Sequence, residues 1–200
     1  MGIIQDLFNR YFIFIIFGLV TGAILKGSIP HTPSNTSVPK PSVMLGNTQD
    51  VSVDKLEKEI ARLSEKQRKE LDIMARTIYG EARGEKSDNA LKAIAHVILN
   101  RTKDKEKKWD SCPIKVSQQK YQFSCWNRND PNYKLITRVT LKNKSFRRAY
   151  KAALQALKSK DITNGANHYH SVFMKRKPKW AKSKKMIALT RIGNHKFYRA

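Results

Sequence analysis

The stretch TIYGEARGE, Thr77 to Glu85, carries a carboxylate at the end of an apolar run, brackets it with Gly80 and Gly84, and adds a second carboxylate four residues later. Upstream, Leu71, Met74, Ala75 and Ile78 recur at spacings of three and four, which is one face of a helix. Ser64 followed by Gln67 has the pattern of a capping box, so that helix should begin there. Two glycines argue against continuous helix as far as Glu85. A new helix is expected from Ser87 or Asp88, with Leu91, Ile94, Ala95, Ile98 and Leu99 inward, ending near Arg101. Glu81 therefore belongs at a helix end and Glu85 in the turn that follows.

Further along, Lys103 to Asp130 reads as mostly irregular, closing on an Asp130-Pro131 turn. A third amphipathic helix is expected over Ser145 to Lys158, with Phe146, Ala149, Tyr150, Ala153, Leu154 and Leu157 inward. NGANHYHSVF reads as a turn followed by a short strand, and another turn falls at Gly193-Asn194. Before the first of these helices, Asp54 to Lys69 is highly charged, with Leu56, Ile60 and Leu63 at helical spacing. Helices come first and short strands after, so the fold class is α+β.

The N-terminus has a different character. Residues 11–25, YFIFIIFGLVTGAIL, contain no charge and are flanked by Arg10 and Lys26. Fifteen residues are short of the roughly 20 that span a bilayer as a helix. The run fits a membrane anchor, and it also fits a signal peptide with a small-residue site at Thr21-Gly22-Ala23. Either reading places the remainder outside the cytoplasm, on a periplasmic or extracellular face. Residues 28–53 are rich in Pro, Ser, Thr and Asn, with four prolines and no periodic apolar face, and read as a flexible linker. The expected division is 1–27 signal peptide or anchor, 28–53 linker and 54–200 catalytic domain. Cys112 and Cys125, 13 residues apart in an exported chain, could close one disulfide loop.

The chain holds 40 Lys and Arg against 16 Asp and Glu, a formal charge of +24. That balance calls for a polyanionic partner: nucleic acid, an anionic membrane or an acidic wall polymer. Only Asp104, Glu106, Asp110, Asp130 and Asp161 lie beyond residue 90, so few acids are available for catalysis. A Glu raised in pKa by an apolar, half-buried setting can act as a general acid near neutral pH, and Glu81 beside Ile78 and Tyr79 suits that role. Small neighbours at Gly80, Ala82 and Gly84 would let a bulky substrate approach. Polar aromatics gather in three loop-like stretches, around Tyr121, Gln122, Phe123 and Trp126, around His168, Tyr169 and His170, and around Trp180 and His195 to Tyr198. No third ligand accompanies the His-x-His pair, so neither a metal nor a cofactor is expected. A nucleic-acid-binding reading meets two objections: the exported start, and the lack of a carboxylate near those histidines. A non-catalytic wall-binding protein would leave the glycine-bracketed glutamate without a purpose.

Taken in order, ARTIYGEARGE (75–85), AIAHVILNRT (93–102), QFSCWN (122–127), GANHYH (165–170), PKWA (178–181) and IGNHKFY (192–198) resemble the catalytic domain of the SleB-type cell wall hydrolases, which include the spore cortex-lytic enzymes. The resemblance covers about 64–200. It implies a lysozyme-like, lytic-transglycosylase-like domain acting on peptidoglycan, with Glu81 as the catalytic glutamate. Asn167 departs from the pattern, where a small hydroxyl residue is expected, and the lysine content is unusually high. The resemblance and residue types place Tyr121, Gln122, Phe123, His168, Tyr169, His170 and Trp180 along the glycan groove, with Tyr169 or a nearby amide bonded to Glu81. Glu85 is expected to be structural rather than a second catalytic carboxylate, which favours a one-carboxylate transglycosylase over hydrolysis. The basic surface, especially Lys175 to Lys185, would attract anionic envelope polymers, and residues 11–25 the membrane. Nucleic acid is not expected as a partner.

Overall fold

A computed structural model describes residues 52–106 and 108–200. The hydrophobic segment at 11–25 and almost all of the 28–53 linker lie outside the described residues. Among the described residues, six helices precede a small sheet: α1 (Val53–Ala61), α2 (Glu65–Ala82), α3 (Asp88–Thr102), α4 (Pro113–Gln118), α5 (Pro131–Arg138) and α6 (Lys144–Lys158). The strands are β1 (His168–Ser171), β2 (Ile187–Ile192) and β3 (His195–Arg199), with 3-10 turns at Ser124–Trp126 and Trp180–Lys182. Strand order is β1-β3-β2, antiparallel throughout. The fold is helix-rich with one small sheet, as the order of periodicities implied.

Side-chain caps set the helix starts. Ser64 and Gln67 form the expected capping box, the Ser64 hydroxyl accepting from the Gln67 N–H and the Gln67 side chain from the Ser64 N–H. Ser87 and Asn143 cap α3 and α6 in the same way. Ser52 caps α1. The stretch 103–130 is mostly irregular, as expected, with α4 and a 3-10 turn in it, six- and three-residue elements too short to show a period. Two expectations need correction. Asp130-Pro131 is not a free turn but the cap and first residue of α5, with Asp130 Oδ1 accepting from the Asn132 N–H at 2.8 Å. Leu157 is 43% exposed rather than inward, while Leu154 and Ala156 in the same turn face the core.

The main core forms where α2 and α3 pack on α6, with α4 and α5 closing the flank of α2. Leu71, Met74, Ile78, Leu91, Ile94, Ile98, Phe146 and Ile136 are all buried there. A second, smaller core lies between α3 and the sheet, built from Ala93, Val97, Ala166 and Phe197. Helix α3 is apolar on both sides because it separates these two cores. Tyr169 packs against both cores, so β1 carries one side chain into the helical layer.

The loop before β1 is tied down by Asn100, whose amide donates to Asp161 Oδ2 (3.0 Å), Thr163 Oγ1 (3.2 Å) and the Ala166 carbonyl (2.9 Å). Asp161 in turn accepts from the Thr163 and Gly165 N–H groups. Asn164 and Gly165 adopt left-handed backbone at φ 58° and 83°, which Asn and Gly tolerate best. Residues near the end of α3 thereby fix where β1 enters the sheet.

Candidate active site

Glu81 occupies the last turn of α2 and is only partly accessible. The Tyr169 hydroxyl donates to Glu81 Oε2 at 3.3 Å, from 88 residues away. The Cys125 thiol and backbone N–H also face this carboxyl. Burial raises the Glu81 pKa to about 7, against the opposing pull of the Cys125 and Tyr169 hydrogen bonds; Asp130 adds a smaller upward push. Near neutrality such a group can both hold a proton and release it. Burial and the neighbouring Glu81 also raise the Tyr169 phenol well above its ordinary range, so it stays a donor.

Gly80 has a different use from the one its sequence suggested. A Cβ there would stand 2.6 Å from Cys125 Cβ, 2.9 Å from Cys125 Sγ and 2.9 Å from Ile136 Cγ2. The glycine admits Cys125 to the side of Glu81, not a substrate. Gly84 has open space around it. The expected Cys112–Cys125 disulfide is also corrected: both cysteines are free. Cys125 is fully buried against Gly80 and Glu81, whereas Cys112 caps α4.

Glu85 is 5% exposed and structural, as its position in the turn implied. Its Oε1 accepts from the Ser87 N–H (2.9 Å) and its Oε2 from the Asn194 N–H (3.0 Å), with His195 Nδ1 3.4 Å away. Burial pushes its pKa upward, but the N–H groups of Ser87 and Asn194 and the nearby His195 outweigh that, so its pKa falls below the ordinary value. Gly193, at φ 55°, fits where a Cβ would lie 2.8 Å from Ala90 Cβ and 3.1 Å from the Glu85 carboxyl. This clamp fastens the β2–β3 turn to the loop between α2 and α3.

The proposed groove residues divide. Tyr169 meets Glu81, but strand alternation turns His168 and His170 to the opposite face of β1. There His168 and His170 lie 5.1 and 6.0 Å from the Trp180 ring, and His170 Nε2 pairs with the Tyr198 hydroxyl at 3.0 Å. His170 is 7% exposed, so it is a packed residue. Phe123 is also no groove lining: at 2% exposure it sits beneath the Arg101 guanidinium, 5.0 Å from its ring centre. Gln122 accepts from Trp109 Nε1 at 3.2 Å and remains half-buried. Tyr121 is exposed in left-handed backbone at φ 68°, with the Lys120 ammonium 4.9 Å from its ring. Asn167, the departure in the GANHYH motif, bonds through its side chain to His168 Nδ1 and the Ala200 N–H, joining the strand to the chain end. Two neighbours of the site escaped the sequence reading, Arg101 and Cys125 in its bonding role; Trp126, one of the gathered aromatics, donates its indole N–H to Thr77 Oγ1 at 2.9 Å.

The model of the family described as Cell Wall Hydrolase matches residues 84–198, over half of the chain. The chain belongs to the cell wall hydrolase family. Two solved structures are similar to this hydrolase. One is the catalytic domain of the germination-specific lytic transglycosylase SleB from Bacillus anthracis, with 25% identity, a TM-score of 0.51, and coverage of 69% of this chain and 98% of that one. The other is the catalytic domain of the Bacillus cereus SleB protein, with 26% identity, a TM-score of 0.52, and coverage of 65% and 89% respectively. No curated protein matches this hydrolase. The family match begins at Gly84, just past Glu81, so the role of Glu81 rests on its surroundings in this chain.

Proposed function

We propose that this hydrolase cleaves the bond between N-acetylmuramic acid and N-acetylglucosamine in peptidoglycan, with Glu81 as its single acid and base. The observation that carries the reading is the Glu81 carboxyl, held by Tyr169 and Cys125 and raised to a pKa of about 7. The likeness to a SleB catalytic domain named as a lytic transglycosylase supports the same chemistry. Protonated Glu81 donates to the glycosidic oxygen, which leaves with the N-acetylglucosamine end. The resulting carboxylate takes the proton from the muramic C6 hydroxyl. Oxygen O6 then closes on C1, giving a 1,6-anhydro ring and returning Glu81 to its acid form. No water is consumed and no second carboxylate is needed. Glu85 is unsuited to be that second group, since it is committed to Ser87 and Asn194.

Mass spectrometry of digested peptidoglycan tests this reading. Anhydromuramyl products are expected; products heavier by one water would establish hydrolysis instead. Residues 11–25 would attach the enzyme to, or export it across, a membrane, so that it works on the periplasmic or extracellular side. The excess of cationic side chains, with Lys175 to Lys185 prominent, would draw it to anionic envelope polymers by screened attraction. Binding to intact walls should then weaken steadily as salt is raised.

A further inference from the structure

Arg101 is the least expected residue near Glu81. It lies in the last turn of α3, yet its side chain is folded inward and is 5% exposed. Its Nε donates to the Asn167 carbonyl at 2.8 Å, and its guanidinium lies 5.2 Å from the Trp109 ring centre and 5.0 Å from that of Phe123. Its Nη1 is buried and meets no acceptor among the described residues. None of their carboxylates forms a salt bridge with it either. A buried cation in that state is costly, and two aromatic faces offset only part of the loss of hydration. Arg101 packs on both segments that hold Glu81, bonding Asn167 two residues before Tyr169 and covering Phe123 two residues before Cys125, and Tyr169 and Glu81 are the ionisable groups that act on its charge. Both are neutral while Glu81 holds its proton, so the missing negative charge appears only when Glu81 gives the proton away.

We propose that Arg101 is a positioning residue for Glu81, a built-in counter-charge for the carboxylate that forms when Glu81 protonates its substrate. The inference rests on the assignment of Glu81 as the acid. Because the cation is fixed before the reaction, it stabilises the charge that develops without reorganising at that moment. Burial itself draws the Arg101 pKa down to about 10, which leaves it charged at neutral pH. The other groups facing Glu81 are Cys125 from the 3-10 turn, Tyr169 from β1 and Asp130 from the cap of α5. His168, on the far side of Arg101, is held neutral, its pKa drawn down to about 4 chiefly by burial and then by Arg101 and Lys108.

The test is a carbon-13 NMR titration of the glutamate side-chain carboxyls, with the Glu81 resonance assigned by its loss in Glu81→Gln. Arg101→Met removes the charge but keeps an apolar stem between Trp109 and Phe123. Its Glu81 midpoint should rise by about one pH unit or more, and kcat should fall by about tenfold with KM little changed. Arg101→Lys should restore most of the midpoint and part of the rate. Should Arg101→Met fail to fold, Arg101→Gln keeps a donor toward Asn167 while removing the charge, and the same shift is expected. A folded neutral variant whose Glu81 midpoint matches the wild type overturns the proposal, as does a rate loss that Arg101→Lys shares in full. Wild-type protein without activity on peptidoglycan, but with the midpoint shift intact, would sink the glycosidase reading and leave the Glu81–Arg101 coupling standing.

Discussion

Glu81 and Glu85 are four residues apart on one short stretch, yet the fold drives their proton affinities in opposite directions. Glu81 faces a phenol, a thiol and the core, and burial dominates, lifting its pKa to about 7. Glu85 is also covered, but it receives two backbone N–H groups and a nearby imidazole that together outweigh its burial, and its pKa falls. Burial alone therefore does not make a catalytic acid. What matters is whether the charged form is supplied with donors. The fold spends its backbone donors on the clamp at Glu85 and gives Glu81 fewer, weaker ones.

Removing each carboxyl in turn is the largest way to break this contrast. Glu81→Gln should cost about 10²–10⁴-fold in lytic rate, measured on purified peptidoglycan, with circular dichroism unchanged. Preserved lysis would assign the chemistry to another acid. Glu85→Ala should act on stability instead, by about 2–4 kcal/mol in denaturant unfolding. It leaves the part-buried Ser87 and Asn194 N–H groups without an acceptor. A stable Glu85→Ala protein with lost activity would make Glu85 a participant in the reaction.

Smaller effects sharpen the same contrast. Gly80→Ala forces a methyl against Cys125 and Ile136, so a loss of about 1–3 kcal/mol is expected. Activity per folded molecule should fall too, because Cys125 must shift away from Glu81. Stability against pH should also separate the two glutamates. Glu81 binds its proton more tightly in the folded state, so its contribution is present below pH 4.5 and is lost as pH rises toward 7. Glu81→Gln should abolish that loss, so the variant gains on the wild type by about 2 kcal/mol between pH 5 and 8. Glu85 has the opposite sign: its contribution is present above pH 4.5 and disappears as pH falls below. Trp126→Phe gives the mildest change, about 1 kcal/mol in thermal unfolding, from the lost bond to Thr77.

Much of the fold was legible because helices advertise themselves locally. The Ser64–Gln67 box, the apolar rows of α2 and α3, and the span of α6 each depend on residues within a few positions of one another. The short elements α4 and the 3-10 turn at Ser124–Trp126 were illegible for the same reason, since neither completes a period. Within the site, Glu81 and Tyr169 were both identifiable, but His170, Phe123 and Trp180 were grouped with them on resemblance and residue type, not on spacing. Strand alternation sends His170 away, and Arg101 covers Phe123. Arg101 itself looked like an ordinary basic residue at a helix C-terminus, and nothing in its neighbourhood along the chain says that it turns inward.

The sequence by itself determined where α2 and α3 start, that a glutamate lies in the last turn of α2 between glycines, and that a second glutamate falls in the turn that follows. These follow from backbone preferences and periodicity, which act over a handful of residues. Only the tertiary structure decided which glutamate holds its proton near neutrality. That outcome depends on desolvation and on donors from Cys125, Tyr169 and Asn194, 44 to 109 residues distant, and electrostatics in a dry site is set by distance in space, not along the chain.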